Sequence, residues 1–356
     1  DIQSQDFAVV GCGDMSGDVF GNGMLLSRHI RLVAAFNHQH IFIDPTPDAT
    51  TGWRERQRLF ELPGSSWADY DAALISSGGG VFERAAKAID LSPEIRAALG
   101  LEATRLTPAE VITAILAAEV DLLWFGGIGT YVRGDAESDA AVGDRANDGV
   151  RVGASQVRAQ VIGEGANLGV TQQGRVDFAR AGGGINTDAI DNSAAVDCSD
   201  HEVNIKILLG AAVAAGDLTT IQRDRLLANM TDEVADLVLR DNYDQTQALT
   251  LMADAAAARL DDHQALIRAL ERGPLKLDRR LEGMPDEEEM AARRAAGAGL
   301  MRPELAVLLA YAKMDLFDRL KASDLPDDDA LADDLVAYFP DRLNAQFGDL
   351  IPRHRL

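Results

Sequence analysis

The sequence has little cysteine, few positive charges and no long hydrophobic run. Cys12 and Cys198 are the two cysteines in 356 residues, which excludes a disulfide framework and predicts a reducing compartment. Lys and Arg number 34 against 57 Asp and Glu, and the formal charge of -23 disfavours partners such as nucleic acid or an anionic membrane surface. Because no signal peptide, membrane span or lipidation motif is visible, we predict a cytoplasmic location.

A glycine-rich turn joins the first predicted strand to the first predicted helix. The apolar run 7–10 predicts a strand, and Gly11 and Gly13 follow it directly. From Val19 onward, apolar residues recur at helical spacing. In dinucleotide-binding folds such glycines let the backbone approach a pyrophosphate at the helix N-terminus. The spacing to Gly17 is one residue longer than the usual G-x-G-x-x-G. We predict a dinucleotide site here, and the alternative is a tight strand-to-helix connection that binds no ligand.

Two polar residues bear on how a dinucleotide would be held. Asp14 would repel a pyrophosphate, so we interpret it as a turn or N-cap residue of the cofactor-binding loop, together with Met15 and Ser16. Asn37 ends the second predicted strand, where folds that prefer NAD usually place an acid against the adenosine ribose. An amide bonds to the ribose hydroxyl but does not repel a 2′-phosphate. Discrimination of NAD from NADP by charge is therefore weaker, or another acid such as Asp44 provides it.

Strands predicted at 30–36, 73–76 and 120–125 alternate with helices, two of which start with capping residues at Ser92 and Thr107. This alternation predicts a parallel sheet, whose ligands lie at the carboxyl ends of the strands. Several glycine-rich turns follow strand ends, so we expect them to converge on one cleft. Besides the first turn, the cofactor contacts predicted from these turns are Gly126, Gly127 and Ile128.

The composition changes near residue 205, since most of the 32 glycines and all three Trp precede it, while Ala, Leu, Asp and Arg at helical spacing follow. We predict a dinucleotide-binding domain over 1–205 and a helical C-terminal domain over 206–356. The fold class is α/β, a Rossmann-like doubly wound and mostly parallel sheet followed by an all-helical domain. His38 and His40 are interpreted as loop residues, and no metal site is predicted. Helices are predicted at 218–229, 231–239, 246–272, 285–296, 303–322 and 327–338.

Three longer stretches, 13–23, 142–148 and 186–193, resemble the large bacterial NAD-specific glutamate dehydrogenases. The resemblance covers nearly the whole chain. It implies oxidative deamination of L-glutamate to 2-oxoglutarate and ammonia with NAD as cofactor, in an oxidoreductase of amino-acid catabolism that forms a homo-oligomer.

The same resemblance assigns residues on the segment after position 191. It implies that Asn192 lies beside the nicotinamide and that Ser199 contacts the side-chain carboxylate of the substrate. The resemblance also implies cofactor contacts at Glu164, Gly165 and Asn167, and the alternative for Asn167 is a turn residue. The run 199–202, Ser-Asp-His-Glu, also has the form of a capping box, so Ser199 is a candidate for a helix start as well. Ala194 with Ala195, and the pair 200–201, depart from the family pattern.

The catalytic Lys and Asp of the family belong to a substrate domain that normally precedes the dinucleotide domain, and no segment here resembles it. No catalytic residue is therefore assigned, and we expect the chain to bind NAD without turning over glutamate. Its expected partners are the protein's own N-terminal catalytic and regulatory domains. The alternative function is a non-catalytic regulatory or oligomerisation module in which the dinucleotide fold is structural.

Overall fold

The computed structural model describes residues 1–354, which fold into two compact units. The first unit comprises 1–191, 279–287 and 301–304, and the second comprises 192–278, 288–300 and the chain from 305 onward. Position 205 lies inside a helix of the second unit. The predicted division into 1–205 and 206–356 stays a prediction.

The first unit is built on a six-stranded sheet and two small two-stranded sheets. The strands are β1 (Phe7–Cys12), β2 (Ile30–Phe36), β3 (His40–Ile43), β4 (Gly80–Glu83), β5 (Ile89–Asp90), β6 (Arg105–Leu106), β7 (Leu122–Phe125), β8 (Val132–Arg133), β9 (Val152–Gly153) and β10 (Val161–Glu164). The strand order of the large sheet is β10-β7-β1-β2-β3-β4. Neighbours from β10 to β2 are parallel, and β3 and β4 add an antiparallel edge. The pairs β5–β6 and β8–β9 form the two small sheets.

Helices cover both faces of this sheet, because its buried strands are apolar on both sides. Phe20 and Leu59, from the first two helices, pack with Val9 on one face, and Ile112 from the fourth helix packs with Val10 on the other. This arrangement confirms the doubly wound, mostly parallel fold. The helices of the first unit are α1 (Asp18–Leu25), α2 (Ala49–Glu61), α3 (Pro93–Leu99), α4 (Pro108–Leu116), α5 (Asp139–Val142), α6 (Gln172–Arg180) and α7 (Asp188–Asp191).

The regular elements described in the second unit are all helices, as predicted. Two of them begin at Glu287 and Arg302, in short segments that belong to the first unit. No helix in the described part of the chain is long and apolar enough to span a membrane. These helices are α8 (Ser193–Ala215), α9 (Thr220–Asn229), α10 (Thr231–Asp254), α11 (Leu260–Arg272), α12 (Glu287–Ala296), α13 (Arg302–Lys321), α14 (Ala332–Ala337) and α15 (Asp341–Phe347).

The predicted strand at 73–76 is wrong. The Asp71 carboxylate accepts from the N–H of Ala73 and starts a 3-10 turn over Ala72–Leu74 instead. The sheet gains β3 and β4 on either side of this segment. His40, interpreted as a loop residue, begins β3, because the side chain of Asn37 closes a tight turn directly before it.

The predicted helix starts at Ser92 and Thr107 are confirmed. Ser92 Oγ accepts from the N–H of Ile95, and Thr107 with Glu110 forms a full capping box. The predicted helix over 246–272 is wrong as one element, since α10 ends at Asp254. A new helix begins at Leu260, and in the turn between the two helices Ala256 packs directly against Gly299, an approach that leaves no space for a side chain on the glycine.

Candidate functional site

A cleft of about 790 Å³ lies in the first unit at the carboxyl ends of β1, β2 and β7. This is the edge at which parallel sheets bind their ligands. Seven of the residues predicted to bind the cofactor line it: Gly13, Asp14, Asn37, Gly126, Gly127, Ile128 and Asn167. Ile128 is 94% exposed, an apolar side chain presented to this cleft.

The glycine-rich turn after β1 is packed against the side chain of Phe20 in α1. A Cβ on Gly13, whose φ is +140°, would lie 2.6 Å from the Phe20 ring, and one on Gly11 would lie 2.7 Å from the Trp124 carbonyl oxygen. A Cβ on Gly126 would lie 2.6 Å from the Phe20 Cα. The glycines therefore satisfy a packing requirement of the protein itself. Met15 is 2% exposed and belongs to the core.

Asp14 closes the turn that follows these glycines. Its Oδ1 accepts from the Ser16 N–H at 3.0 Å, the Ser16 hydroxyl at 2.7 Å and the Gly17 N–H at 3.1 Å. These bonds accommodate the extra residue of the glycine spacing and agree with the interpretation of Asp14 as a turn residue. Partial burial would raise the pKa of Asp14, but hydrogen bonds from Ser16, Asn37 and Gly17 outweigh it and lower the pKa below its ordinary value.

Asn37 lies at the end of β2 and is almost fully buried. Its Oδ1 accepts from the N–H groups of Gln39 and His40, at 2.8 and 2.7 Å, and its Nδ2 donates to Asp14 Oδ2 at 2.7 Å. The side chain is thus committed to the turn into β3 and to the glycine loop.

Arg84 is a cleft residue that sequence reasoning missed. It follows β4, lines the cleft, and donates from Nη1 to the Asn37 carbonyl oxygen at 2.9 Å. Among the described residues that line this cleft, it is the single Lys or Arg side chain. Sequence reasoning missed it because the strand was predicted at 73–76, whereas the pairing of β4 with β3 brings position 84 to this edge.

The stretch 142–148 forms a second missed wall of the cleft. Asp144 Oδ2 accepts from the Thr130 N–H at 2.8 Å and from Asn147 Nδ2 at 2.7 Å. The buried Arg151 holds this loop from behind by donating to the carbonyl oxygens of Thr130 and Asp144. The stretch contributed to the family resemblance, which was the available signal for its place in the site.

Two further cleft residues, Cys12 and Tyr131, lie beneath the loops. Burial raises the pKa of the Cys12 thiol to about 11, so it stays protonated at neutral pH. Burial also raises the pKa of Tyr131, whose hydroxyl donates to the Ile128 carbonyl oxygen at 3.1 Å. Neither group is poised as a nucleophile or base at neutral pH.

Glu164, at the end of β10, is 0% exposed and does not line the cleft. Arg175 of α6 donates to both of its oxygens, at 2.7 and 2.9 Å, and the Val170 N–H donates to Oε1 at 3.0 Å. Burial raises the pKa of Glu164 in spite of this pairing. Arg175 also lies 3.1 Å from Asp188.

The remaining predicted residues lie away from the cleft wall or in the other unit. Gly11, Ser16 and Gly165 belong to the first unit without lining the cleft, and Asn192 and Ser199 belong to the second unit. Ser199 is exposed in the interior of α8, which begins at Ser193, so its predicted role as a helix start is wrong. The Ala-Ala-Val run before it is compatible with helix and extends α8 toward the N-terminus.

The pair Asp200-His201, which departs from the family pattern, fixes α8 to the C-terminal segment within the second unit. His201 is 2% exposed, and its ring stacks on Tyr338 with centroids 4.6 Å apart. The Tyr338 hydroxyl donates to Asp200 Oδ2 at 3.2 Å. His201 Nε2 lies 3.4 Å from Asp241 Oδ2 on α10. In this unit both residues therefore serve packing contacts.

Comparisons with known proteins identify the family of this chain. The family profile described as "Bacterial NAD-glutamate dehydrogenase, catalytic domain" matches residues 1–252, and "Glutamate dehydrogenase, C-terminal" matches 297–356. A solved structure, the hetero-hexameric glutamate dehydrogenase from Thermus thermophilus in its Leu-bound form, aligns with 53% of this chain and 31% of its own. The identity is 14% and the TM-score 0.26.

Two curated proteins named NAD-specific glutamate dehydrogenase, from Pseudomonas aeruginosa and Mycobacterium tuberculosis, are each 57% identical to this chain. Each alignment covers 100% of the chain and 22% of the relative, so the chain spans about a fifth of the length of these relatives. With the first profile matching well over half of its residues, the chain belongs to the bacterial NAD-glutamate dehydrogenase family.

Proposed function

We propose that this chain is the NAD-binding and C-terminal portion of a glutamate dehydrogenase. The reaction converts L-glutamate, NAD and water into 2-oxoglutarate, ammonia and NADH. The observation that carries the proposal is the glycine-walled cleft at the carboxyl ends of parallel strands, in a chain 57% identical to two NAD-specific glutamate dehydrogenases. We place the enzyme in amino-acid catabolism, in the cytoplasm, as a homo-oligomer.

The cleft offers the groups that a dinucleotide requires. Gly17 lines it and α1 begins at the next residue, so the helix N-terminus can receive an anionic pyrophosphate. Arg84 supplies the positive charge. Ile128 offers an apolar side chain to a base or nicotinamide ring. When bound, NAD supplies the hydride acceptor. The contacts predicted for Gly11, Met15, Ser16, Glu164, Gly165 and Asn192 stay predictions.

The substrate side of the reaction is proposed from the family. Ser199, exposed on α8, is the proposed contact for the substrate side-chain carboxylate. Among the described residues that line the cleft there is no Lys to polarise a carbonyl group. We therefore expect this chain alone to bind NAD without oxidising glutamate, and its partners to be the protein's N-terminal catalytic and regulatory domains.

A calorimetric titration of the 356-residue chain with NADH, run beside an assay for glutamate-dependent NAD reduction, tests the proposal. We expect binding in the micromolar range and no turnover. Absence of NADH binding would contradict the cofactor site and would favour the oligomerisation module. Glutamate-dependent formation of NADH by this chain would contradict the expected lack of activity.

A matched pair of variants locates the binding site. Arg84→Ala should weaken NADH binding by about tenfold to a hundredfold, because a hydrogen bond to a charged group is lost. Lys87→Ala removes the same charge three residues further on, at an exposed position outside the cleft, and should leave the affinity unchanged. Equal effects of the two variants would show that only net charge matters and would contradict this placement.

A further inference from the structure

The carboxylate of Asp14, from the glycine loop after β1, lies at the end of β2. Position 37, where an acid would select NAD, is Asn, but its Nδ2 donates to Asp14 Oδ2 at 2.7 Å. The glycine loop thus delivers the side chain of Asp14 to the end of the second strand. The Oδ1 of Asn37 already accepts two backbone N–H groups, so its acceptor capacity is used within the protein.

Asp14 keeps acceptor capacity toward the cleft. Its Oδ1 takes three hydrogen bonds from Ser16 and Gly17, whereas Oδ2 takes the one from Asn37. Three donors thus share the lone pairs of Oδ1, whereas the two lone pairs of Oδ2 have one donor among the described residues. The residue is only partly buried and lines the cleft, and its lowered pKa keeps it ionised at neutral pH. One acceptor site of an anionic oxygen therefore remains for a ligand hydroxyl.

The other candidate acid, Asp44, lies away from the cleft. It follows β3, which runs antiparallel to β2, and its N–H donates to the Val33 carbonyl oxygen in the middle of β2. It is 3% exposed, and its carboxylate accepts from Ser76. Asp44 is absent from the cleft wall and so does not supply the missing charge.

We propose that Asp14 is the residue that discriminates NAD from NADP, with Asn37 as the residue that positions it. The carboxylate accepts from the 2′-hydroxyl of the adenosine ribose and repels a 2′-phosphate. Arg84 donates to the Asn37 carbonyl oxygen at the same turn, so removal of the Asp14 charge favours the phosphate. The inference rests on the proposed cofactor site and specifies its selectivity.

The test measures NADH and NADPH affinities of the 356-residue chain and of two single variants. Asp14→Asn should lower the NADH-to-NADPH affinity ratio at least about tenfold, mainly by a gain in NADPH affinity. Asp90→Asn removes the same charge from β5, at an exposed position outside the cleft, and should leave the ratio unchanged. An equal loss of both affinities in Asp14→Asn would overturn the inference and leave Asp14 as a loop-forming residue.

A charge swap keeps the test decisive if Asp14→Asn disturbs the loop. The double variant Asp14→Asn with Asn37→Asp reverses the same hydrogen bond and moves the carboxylate to the end of β2. It should keep the wild-type ratio within about threefold. A double variant that binds NADH but has lost its preference would overturn the inference. Wild-type protein that binds neither nucleotide would instead contradict the proposed function itself.

Discussion

Asp14 and Glu164 are two acids at the same edge of the sheet that differ in exposure and in their hydrogen-bond donors. Each lies in a glycine-rich turn at the carboxyl end of a parallel strand, β1 or β10. Asp14 is partly exposed, lines the cleft and accepts hydrogen bonds from neutral donors. Glu164 is fully buried and paired with Arg175.

The difference between them lies in the donors, and it decides what each acid can do. Neutral donors stabilise the Asp14 carboxylate without cancelling its charge, so the charge remains available to a ligand. Arg175 cancels the charge of Glu164 and directs it into the protein. A glycine motif with an acid therefore indicates a strand end near a ligand, but the donor type decides whether the acid faces the ligand or the fold.

The largest expected effect comes from breaking the buried pair. Arg175→Met leaves Glu164 buried without its cation and should lower the free energy of unfolding by about 3–5 kcal/mol. Burial already raises the pKa of Glu164, and loss of the cation raises it further, so the loss should shrink as the pH falls and the carboxyl group becomes protonated. Urea unfolding followed by Trp fluorescence measures this, since all three Trp lie in the first unit.

The control for this variant lies on the same helix. The side chain of Arg180 is about half exposed, 3.8 Å from Asp177, so Arg180→Met should cost less than about 1 kcal/mol at any pH. If Arg175→Met lowered the free energy of unfolding no more than this control, Glu164 would not depend on its cation, and the contrast with Asp14 would fail.

An intermediate loss of stability is expected from Asn37→Asp, which gives Asp14 a negatively charged neighbour. Asn37→Asp places a second carboxylate where the first accepted a hydrogen bond at 2.7 Å, and it should cost about 1–2 kcal/mol at pH 8. Repulsion raises the pKa of one of the two carboxyl groups in the folded state. The cost is therefore present above that raised pKa and is relieved as the pH falls through it. Melting temperatures at pH 8 and pH 5 measure this, and an equal shift at both would contradict it.

The smallest effect is expected from Ser16→Ala. The Ser16 hydroxyl donates to Asp14 Oδ1, and the Ser16 and Gly17 N–H groups remain as donors to the same oxygen. The variant should lose about 0.5–1.5 kcal/mol of stability and less than about threefold of NADH affinity. A much larger loss of affinity in the NADH titration would contradict this expectation and show that the Ser16 hydroxyl contacts the cofactor directly.

The sequence predicted local features well and failed where a partner lies far along the chain. The turn after β1, the strand 30–36 and the cap at Thr107 follow from neighbouring residues and are confirmed. Arg84 reaches the cleft through antiparallel pairing of β4 with β3, a long-range contact without local periodicity. The partner of Glu164 likewise comes from the next helix.

One aromatic ring gives the glycine loop a property that matters for mutational scanning. The Phe20 side chain occupies space that a methyl group on Gly11 or Gly13 would require, and the Phe20 backbone does the same for Gly126. Alanine at Gly13 or Gly126 requires a shift of Phe20, and alanine at Gly11 requires a shift of Phe20 and of the Trp124 backbone, whether or not a cofactor is bound. An alanine scan of this loop therefore reports how closely α1 packs on the sheet.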